Sequence, residues 1–245
     1  KELLSDKYIW NFLKPWLSPE EAYLERKTIY TFQSAIAKKW RKGRIFIAGD
    51  AAHLMPPFMG QGMCAGIRDA SNLAWKISLC IKNNHNEDFL DTYQTERFSN
   101  AKEYIETTMR MGEFVNAIGS EKITDNISSK PDGTKKMESI KPKLGYGLGD
   151  KKDRNRGKIF PQLKMKNGKT LDDKFSTSPL VLLSSELKKQ KSKIKIPIIT
   201  EKEVVGLSNV LKGFEAKAVI VRPDRFILKT CKDIKDFNQI KNLPL

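Results

Sequence analysis

No stretch of this chain is apolar for long enough to span a bilayer, and its opening, KELLSDKYIW, contains no signal-peptide core. Membrane insertion and secretion are therefore not expected, and a cytoplasmic location is the simplest expectation. Cysteine is scarce. Cys64, Cys80 and Cys231 form no C-x-x-C pair and no metal-ligand spacing, so neither dithiol redox chemistry nor a cysteine-ligated metal is expected. Nothing supplies His53 with a metal partner or a nucleophile, so it reads as structural. No G-x-G-x-x-G follows an early strand, so nothing here can cradle a dinucleotide pyrophosphate. Gly145-Tyr146-Gly147-Leu148-Gly149 is rich in glycine but follows no strand and opens no apolar helix, and it is discounted.

Positive charge, by contrast, is abundant. A net charge of +16 raises the question of nucleic acid. The lysines are scattered, however, and the densest run, Lys188-Lys189-Gln190-Lys191-Ser192-Lys193, accompanies no helix-turn-helix, zinc-finger or RNA-binding signature. A solvated lysine-rich surface is the expectation, with no nucleic-acid partner. At 245 residues the chain can bury a proper core in one or two domains.

The chemistry is concentrated between Arg44 and Lys76. Ile45-Phe46-Ile47-Ala48 reads as a buried strand, ended by Gly49-Asp50, so that a carboxylate stands where open α/β sheets bind ligands. Pro56-Pro57 stiffens the crossing that follows, and Gly60-Gln61-Gly62 lets backbone come close to a ligand. A helix then begins. Its apolar positions Met63, Ile67, Ala70, Ala74, Ile77 and Ile81 share one face. The first-turn amides of Gly62, Met63 and Cys64 lie at the positive end of that helix and suit an anionic group. Asp50 is an acceptor for hydroxyls. An acceptor beside a donor cluster suggests a nucleotide-like cofactor, although Gly-Asp after a strand is also an ordinary turn and a Met-rich amphipathic helix is often plain core.

The run GDAAHLMPPFMGQGMCAGIRDASNLAWK resembles the second flavin motif of the FAD-dependent aromatic hydroxylases related to p-hydroxybenzoate hydroxylase, most closely the 3-(3-hydroxyphenyl)propionate subgroup. The resemblance implies an α/β fold: the carboxyl-terminal part of an FAD-binding aromatic hydroxylase fold, followed by a thioredoxin-like α/β domain. It implies a cofactor site of Gly49, Asp50, Pro57, Gly60, Gln61, Gly62, Met63 and Cys64. Asp50 would take the ribityl chain and the amides of Met63 and Cys64 the flavin N1–O2 edge, with Pro57 and Phe58 towards the aromatic substrate. The implied reaction hydroxylates a phenol ortho to its hydroxyl with NAD(P)H and O2. No residue stands out as the catalytic base.

The remaining segments follow in order. Residues 1–40 resemble the end of a substrate-binding domain, with a helix start expected at Ser18-Pro19-Glu20-Glu21 and a strand at Thr28–Phe32, where Tyr30 and Phe32 are expected in the core. Residues 41–118 would complete the flavin part, with a second helical stretch from Glu87 to Ile118 capped by Asp88, in which Glu96 and Arg97 are expected on a solvated or helix-pairing face. Residues 119–156 read as a linker or long surface loop. Residues 157–245 carry strands at Pro179–Leu183, Ile194–Ile199 and Ala216–Val221 and a closing helix at Ile234–Asn242. Two segments there, Gly157–Gln162 and Ala218-Val-Ile-Val-Arg-Pro-Asp224, resemble the subgroup's thioredoxin-like domain without its C-x-x-C. That domain is expected to support packing or dimerisation, and Cys231 to be structural. The chain as a whole resembles roughly the carboxyl-terminal half of such a hydroxylase, which implies a fragment, a truncated product or one half of a split enzyme with a separate amino-terminal partner.

Overall fold

The computed structural model describes residues 2–83, 86–117, 140–175, 178–187, 196–233 and 235–236. The Lys188–Lys193 run, the turn-rich segment at 128–133 and almost all of the expected closing helix lie outside the described residues. Two compact units are present, Lys1–Gln33 and Ser34–Leu245.

In the first unit, helix α1 (Asp6–Leu13) starts where Ser5 accepts a hydrogen bond from the Tyr8 amide. Ser18 makes the reciprocal contact typical of a helix start, its amide donating to Glu21 Oε2 at 3.0 Å, but only one turn forms. Thr28–Phe32 carries no strand. Tyr30 and Phe32 stack at 6.5 Å and are both exposed, so neither is core. A unit that ends at Gln33 cannot bury Tyr8, Trp10, Phe12, Trp16, Tyr23, Tyr30 and Phe32 together, and β propensity without a pairing strand forms no ladder.

The second unit begins with two small antiparallel pairs. Strand β1 (Ala35–Ile36) pairs with β4 (His53–Leu54), and β2 (Arg41–Lys42) with β3 (Ile45–Phe46). The expected strand at 45–48 is thus shorter than its apolar run, because Gly49 turns the chain at φ 58° onto the long helix α2 (Gly62–Asn83). Trp40, Ala52, Tyr93 and Ala101 form a small core here, and the Tyr93 hydroxyl donates to the Ile47 carbonyl at 3.0 Å. Helix α3 (Thr92–Ala117) packs along α2. Its lead-in turn, Glu87–Asp91, is capped by Asn86, whose side chain accepts from the Asp88 amide; Asp88 is therefore inside the turn and not its cap.

The carboxyl-terminal part is a four-stranded mixed sheet preceded by the short helix α4 (Leu171–Phe175). Strand β5 (Leu180–Leu183) is flanked by β6 (Ile198–Thr200), parallel to it, and by β7 (Ala218–Val221), antiparallel; β8 (Ile227–Cys231) closes the other edge. This order, a parallel pair extended by an antiparallel hairpin, is the thioredoxin-like arrangement expected from the sequence. Both faces are covered, so β5 is buried at every position. Leu180 and Leu182 meet Leu207 and Leu211 of α5 (Leu207–Gly213) in one core, while Val181, Leu183 and Cys231 enter the other. Burial pushes the Cys231 thiol up to about 12, as expected for a structural cysteine.

Residues 140–157 have almost no regular structure but are packed, not draped over the surface. Leu144 is buried, and a Cβ on Gly145, Gly147 or Gly149 would fall 2.2 Å from the Thr95 carbonyl, 2.3 Å from Glu96 Cγ and 2.4 Å from the Leu228 carbonyl. The discounted glycine run is therefore a close-approach device.

Candidate functional site

The site is built where the chain folds back on α2. Ala48 is extended, Gly49 adopts the left-handed region, and Gly49–Ala51 form a 3-10 turn closed by the Ala52 amide donating to the Gly49 carbonyl at 2.8 Å. The turn lies directly on the helix. A Cβ on Gly66 would stand 3.3 Å from Gly49 Cα, and Gly66 is about one turn along from Gly62. Glycine at both positions is what allows this approach. Asp50 projects from the turn, exposed, with no side-chain partner among the described residues.

The crossing from the turn to α2 is set by Pro56, extended at ψ 153°, and by a 3-10 turn over Pro57–Met59 that Gly60 ends at φ 61°. Pro57 and Phe58 are exposed, while Pro56 is buried. The Phe58 ring lies over α3, where a Cβ on Gly112 would come within 2.5 Å of it. Gln61 precedes the helix and accepts from Arg68 at 3.3 and 3.4 Å, and the Arg68 guanidinium sits 5.1 Å from the Tyr104 ring centre. The Ala65 amide donates to the Gln61 carbonyl, so the amides of Gly62, Met63 and Cys64 precede the helical ladder. No acidic residue occupies this first turn, and no side chain among the described residues caps it. The positive end of a 22-residue helix is thus left uncompensated, beside glycines without side chains and an exposed carboxylate. Such a donor set with a neighbouring acceptor fits a ring edge that gains negative charge on one molecule that also bears a polyol chain.

What holds the turn in place was not read from the sequence. Asp69, on α2, is fully buried and accepts from the Gly49 amide at 3.0 Å, from His53 Nε2 at 2.7 Å and from Arg97 Nε at 2.8 Å. Burial opposes its charge, yet the His53 bond, the Arg97 charge and hydrogen bond, and the Gly49 amide hold its pKa below the ordinary carboxylate value. His53 therefore does act as a structural group: it is buried against Trp40 at 5.4 Å and orients Asp69.

Glu96 and Arg97 are not solvated; both are fully buried and pair α3 with α2 and beyond. Glu96 accepts from Lys76 Nζ at 2.7 Å, from Asn72 at 3.0 Å, from the Leu148 amide at 2.8 Å, and from both terminal nitrogens of Arg222 at 2.8 Å. Although burial raises it, the Arg222 and Lys76 charges drive the Glu96 pKa far below the usual range. Burial pushes the Lys76 ammonium down to about 8 against the pull of Glu96.

Asp69, Asn72 and Lys76 of α2 are thus inside, with Ala65 and Trp75, while most of its predicted apolar stripe is outside. Met63 is 75% exposed, Ile67 59% and Ile81 78%, with Ala70 and Ala74 also exposed. The amphipathic pattern identifies a face, of which Ile77 is half-buried while Met63, Ile67, Ala70, Ala74 and Ile81 are exposed among the described residues. Among the described residues, no group of three or more metal-ligating side chains gathers, and no helix is long and apolar enough to cross a membrane.

Comparison with known proteins agrees with this geometry. A family model described as an FAD binding domain matches residues 18–108. A probable NADH-specific resorcinol 4-hydroxylase of Rhodococcus jostii is 31% identical over 95% of this chain and 48% of its own length. A 3-(3-hydroxy-phenyl)propionate/3-hydroxycinnamic acid hydroxylase of Mycolicibacterium smegmatis is 39% identical over 44% of this chain and 20% of its own length. Among solved structures, an aklavinone-11 hydroxylase in complex with FAD and aklavinone aligns over 86% of this chain and 45% of its own, with a TM-score of 0.57 at 19% identity. The anhydrotetracycline hydroxylase OxyS of Streptomyces rimosus aligns over 81% and 43%, with a TM-score of 0.55 at 21% identity. The chain spans about half the length of the resorcinol hydroxylase that it matches from end to end. In sequence and in fold it resembles the FAD-dependent aromatic hydroxylases.

Proposed function

We propose, for a chain that carries the carboxyl-terminal part of the FAD-binding aromatic hydroxylase fold, that it forms half of an FAD site and serves in the hydroxylation of a phenolic substrate with NAD(P)H and O2. The observation that carries this reading is the uncapped first turn of α2 beside the Gly49-Asp50 turn. Asp50 accepts from hydroxyls of the ribityl chain. The Gly62, Met63 and Cys64 amides stabilise negative charge on the flavin N1–O2 edge, with Gly60 and Gln61 shaping the approach. Pro57 and Phe58 form part of the wall on the substrate side. The flavin, when bound, supplies the oxygen chemistry; the residues of this chain bind, orient and set the local field.

For the substrate, the relatives' names support a phenol, either resorcinol or a 3-(3-hydroxyphenyl)propionate-like acid ring-hydroxylated ortho to its hydroxyl. Residues 1–40 are assigned to the substrate side, 41–118 to the flavin part and 157–245 to the thioredoxin-like domain, joined by 119–156. The exposed stripe on α2 supports a further reading: a polypeptide carrying the pyrophosphate loop, the counterpart of the relatives' other half, covers Met63, Ile67 and Ile81, and this chain alone is a non-catalytic partner until it does so.

Titrating the purified chain with FAD, by fluorescence, tests the site. FAD binding is expected to weaken about tenfold or more in Asp50→Ala, since a hydrogen bond to a charged group contributes about 1.5–3 kcal/mol. Equal affinity of the variant and wild type would remove Asp50 from the site.

A further inference from the structure

The line of side chains that holds the Gly49 turn continues along α2 to the carboxyl-terminal sheet. Asp69, Asn72 and Lys76 are spaced by three and four residues, on one buried face. Asp69 accepts from the Gly49 amide. Asn72 Nδ2 donates to Glu96 at 3.0 Å and to Asp224 Oδ2 at 2.9 Å, and Lys76 donates to Glu96. Consecutive residues of α3 complete the line, Arg97 opposite Asp69 and Glu96 opposite Lys76.

Into its far end reaches Arg222, at the corner between β7 and β8. The guanidinium spans two carboxylates: Nε and Nη2 donate to Asp224 at 3.0 and 2.7 Å, and Nη1 and Nη2 donate to Glu96 at 2.8 Å each. Its face lies 5.1 Å from the Trp75 ring centre. Glu96 and Asp224 balance Arg222 and Lys76 in charge, and all four are buried. The glycine run seals the cluster, Leu148 donating to Glu96 while Gly147 leaves room for its side chain. Only a planar fork of five donors can serve two carboxylates and a ring face together.

An arrangement of this kind adds little stability over an apolar core of the same volume, but displacing one partner leaves a buried charge uncompensated. We propose that Arg222 is a positioning residue: the Arg222–Asp224 corner fixes α2 along and about its axis through Glu96, Asn72 and Lys76, and so sets the place of the turn and amides at the helix's other end. The carboxyl-terminal domain, which lacks any thiol site, is then a latch on the flavin part. The structural link stands on the contacts alone; its meaning for FAD rests on the function proposed above.

Hydrogen–deuterium exchange of the full chain, with and without FAD, separates the two. In Arg222→Met, exchange in 49–52 and 62–68 should rise about tenfold relative to that of β5 and β7, and Arg222→Lys should fall between Met and wild type. Leu182→Ala serves as the control, because general destabilisation raises exchange in the sheet and in α2 together. Asn72→Ala, which keeps every charge, should loosen the same two segments about threefold if Arg222→Met does not fold. Increases confined to 218–231, or an unchanged 62–68 segment in Asn72→Ala, would overturn the latch. Variants that show the exchange pattern, in a chain whose wild-type exchange FAD does not change, would leave the latch standing and remove the flavin reading.

Discussion

The carboxyl-terminal sheet and the helical layer under the Gly49 turn are held together by opposite means. In the sheet, Leu180, Leu182, Val219, Val221 and Ile227 make an apolar core that is nearly indifferent to pH and tolerant of modest repacking. In the helical layer, Asp69, Asn72, Lys76, Glu96, Arg97 and Asn100 are buried at or near zero exposure and bond to one another, to Arg222 and Asp224 and to nearby backbone, with Asn72 Oδ1 left without a partner among the described residues. An apolar core fixes composition and volume. A buried network of paired charges constrains geometry, because a shifted donor leaves a buried charge unpaired. The proposed FAD site, with its amides and carboxylate, stands on the second kind.

Truncation should break the comparison most sharply. Glu96→Ala leaves Arg222 and Lys76 facing each other without their shared carboxylate, at a cost of about 3–5 kcal/mol. Leu182→Ala costs a similar amount, about 2–5 kcal/mol, by cavity formation. The two are distinguished by rescue: Glu96→Ala with Lys76→Met, which leaves Arg222 paired with Asp224, should recover part of the loss in urea denaturation, whereas no neighbouring truncation can refill the Leu182 cavity. Failure of this double variant to exceed Glu96→Ala would mean that the unpaired Lys76 charge is not what Glu96→Ala costs.

Acid is the next way to separate them. Asp69 and Glu96 both titrate below their ordinary values of 3.8 and 4.5, so the unfolded chain binds their protons first. Their contribution is fully present above about pH 5 and is lost as the pH falls through and below that range. Exchange in α2 and α3 should therefore rise in mild acid before exchange in β5 and β7 does. Simultaneous loss would show that the two regions unfold as one unit.

How much of this was legible follows from the same contrast. Leu180–Leu183 and Ala218–Val221 announce themselves as buried strands by unbroken apolar runs. β8 does not, because Lys229 and Thr230 interrupt it. The order strand end, Gly-Asp, Pro-Pro, Gly-x-Gly, helix start could be read because each residue has its own backbone reason to be there. The supporting charges could not, since a buried Glu96 or Arg97 has the same letters as a solvated one. The available clue was Arg222, a charge set directly behind the four apolar residues of β7 and followed by Pro223-Asp224. Periodicity found the apolar face of α2 but not what would cover it.

That face supplies the smallest expected effect. Ile67 is 59% exposed on the outer side of α2, one position from Gly66 and directly across the helix from the Asp69 line. In this chain Ile67→Ser removes no packing and leaves no polar group buried, so its urea midpoint should correspond to a change within about 0.5 kcal/mol. In the presence of a polypeptide that covers the stripe the same substitution buries a hydroxyl where a butyl group stood, and it should weaken that association about tenfold or more, in line with the cost of an unpaired buried hydroxyl of about 1–3 kcal/mol. A loss of more than 1 kcal/mol in the chain alone would show instead that the stripe already packs against this chain. The two faces of one helix would then differ in chemistry but not in burial, and the case for a covering partner would go with that difference.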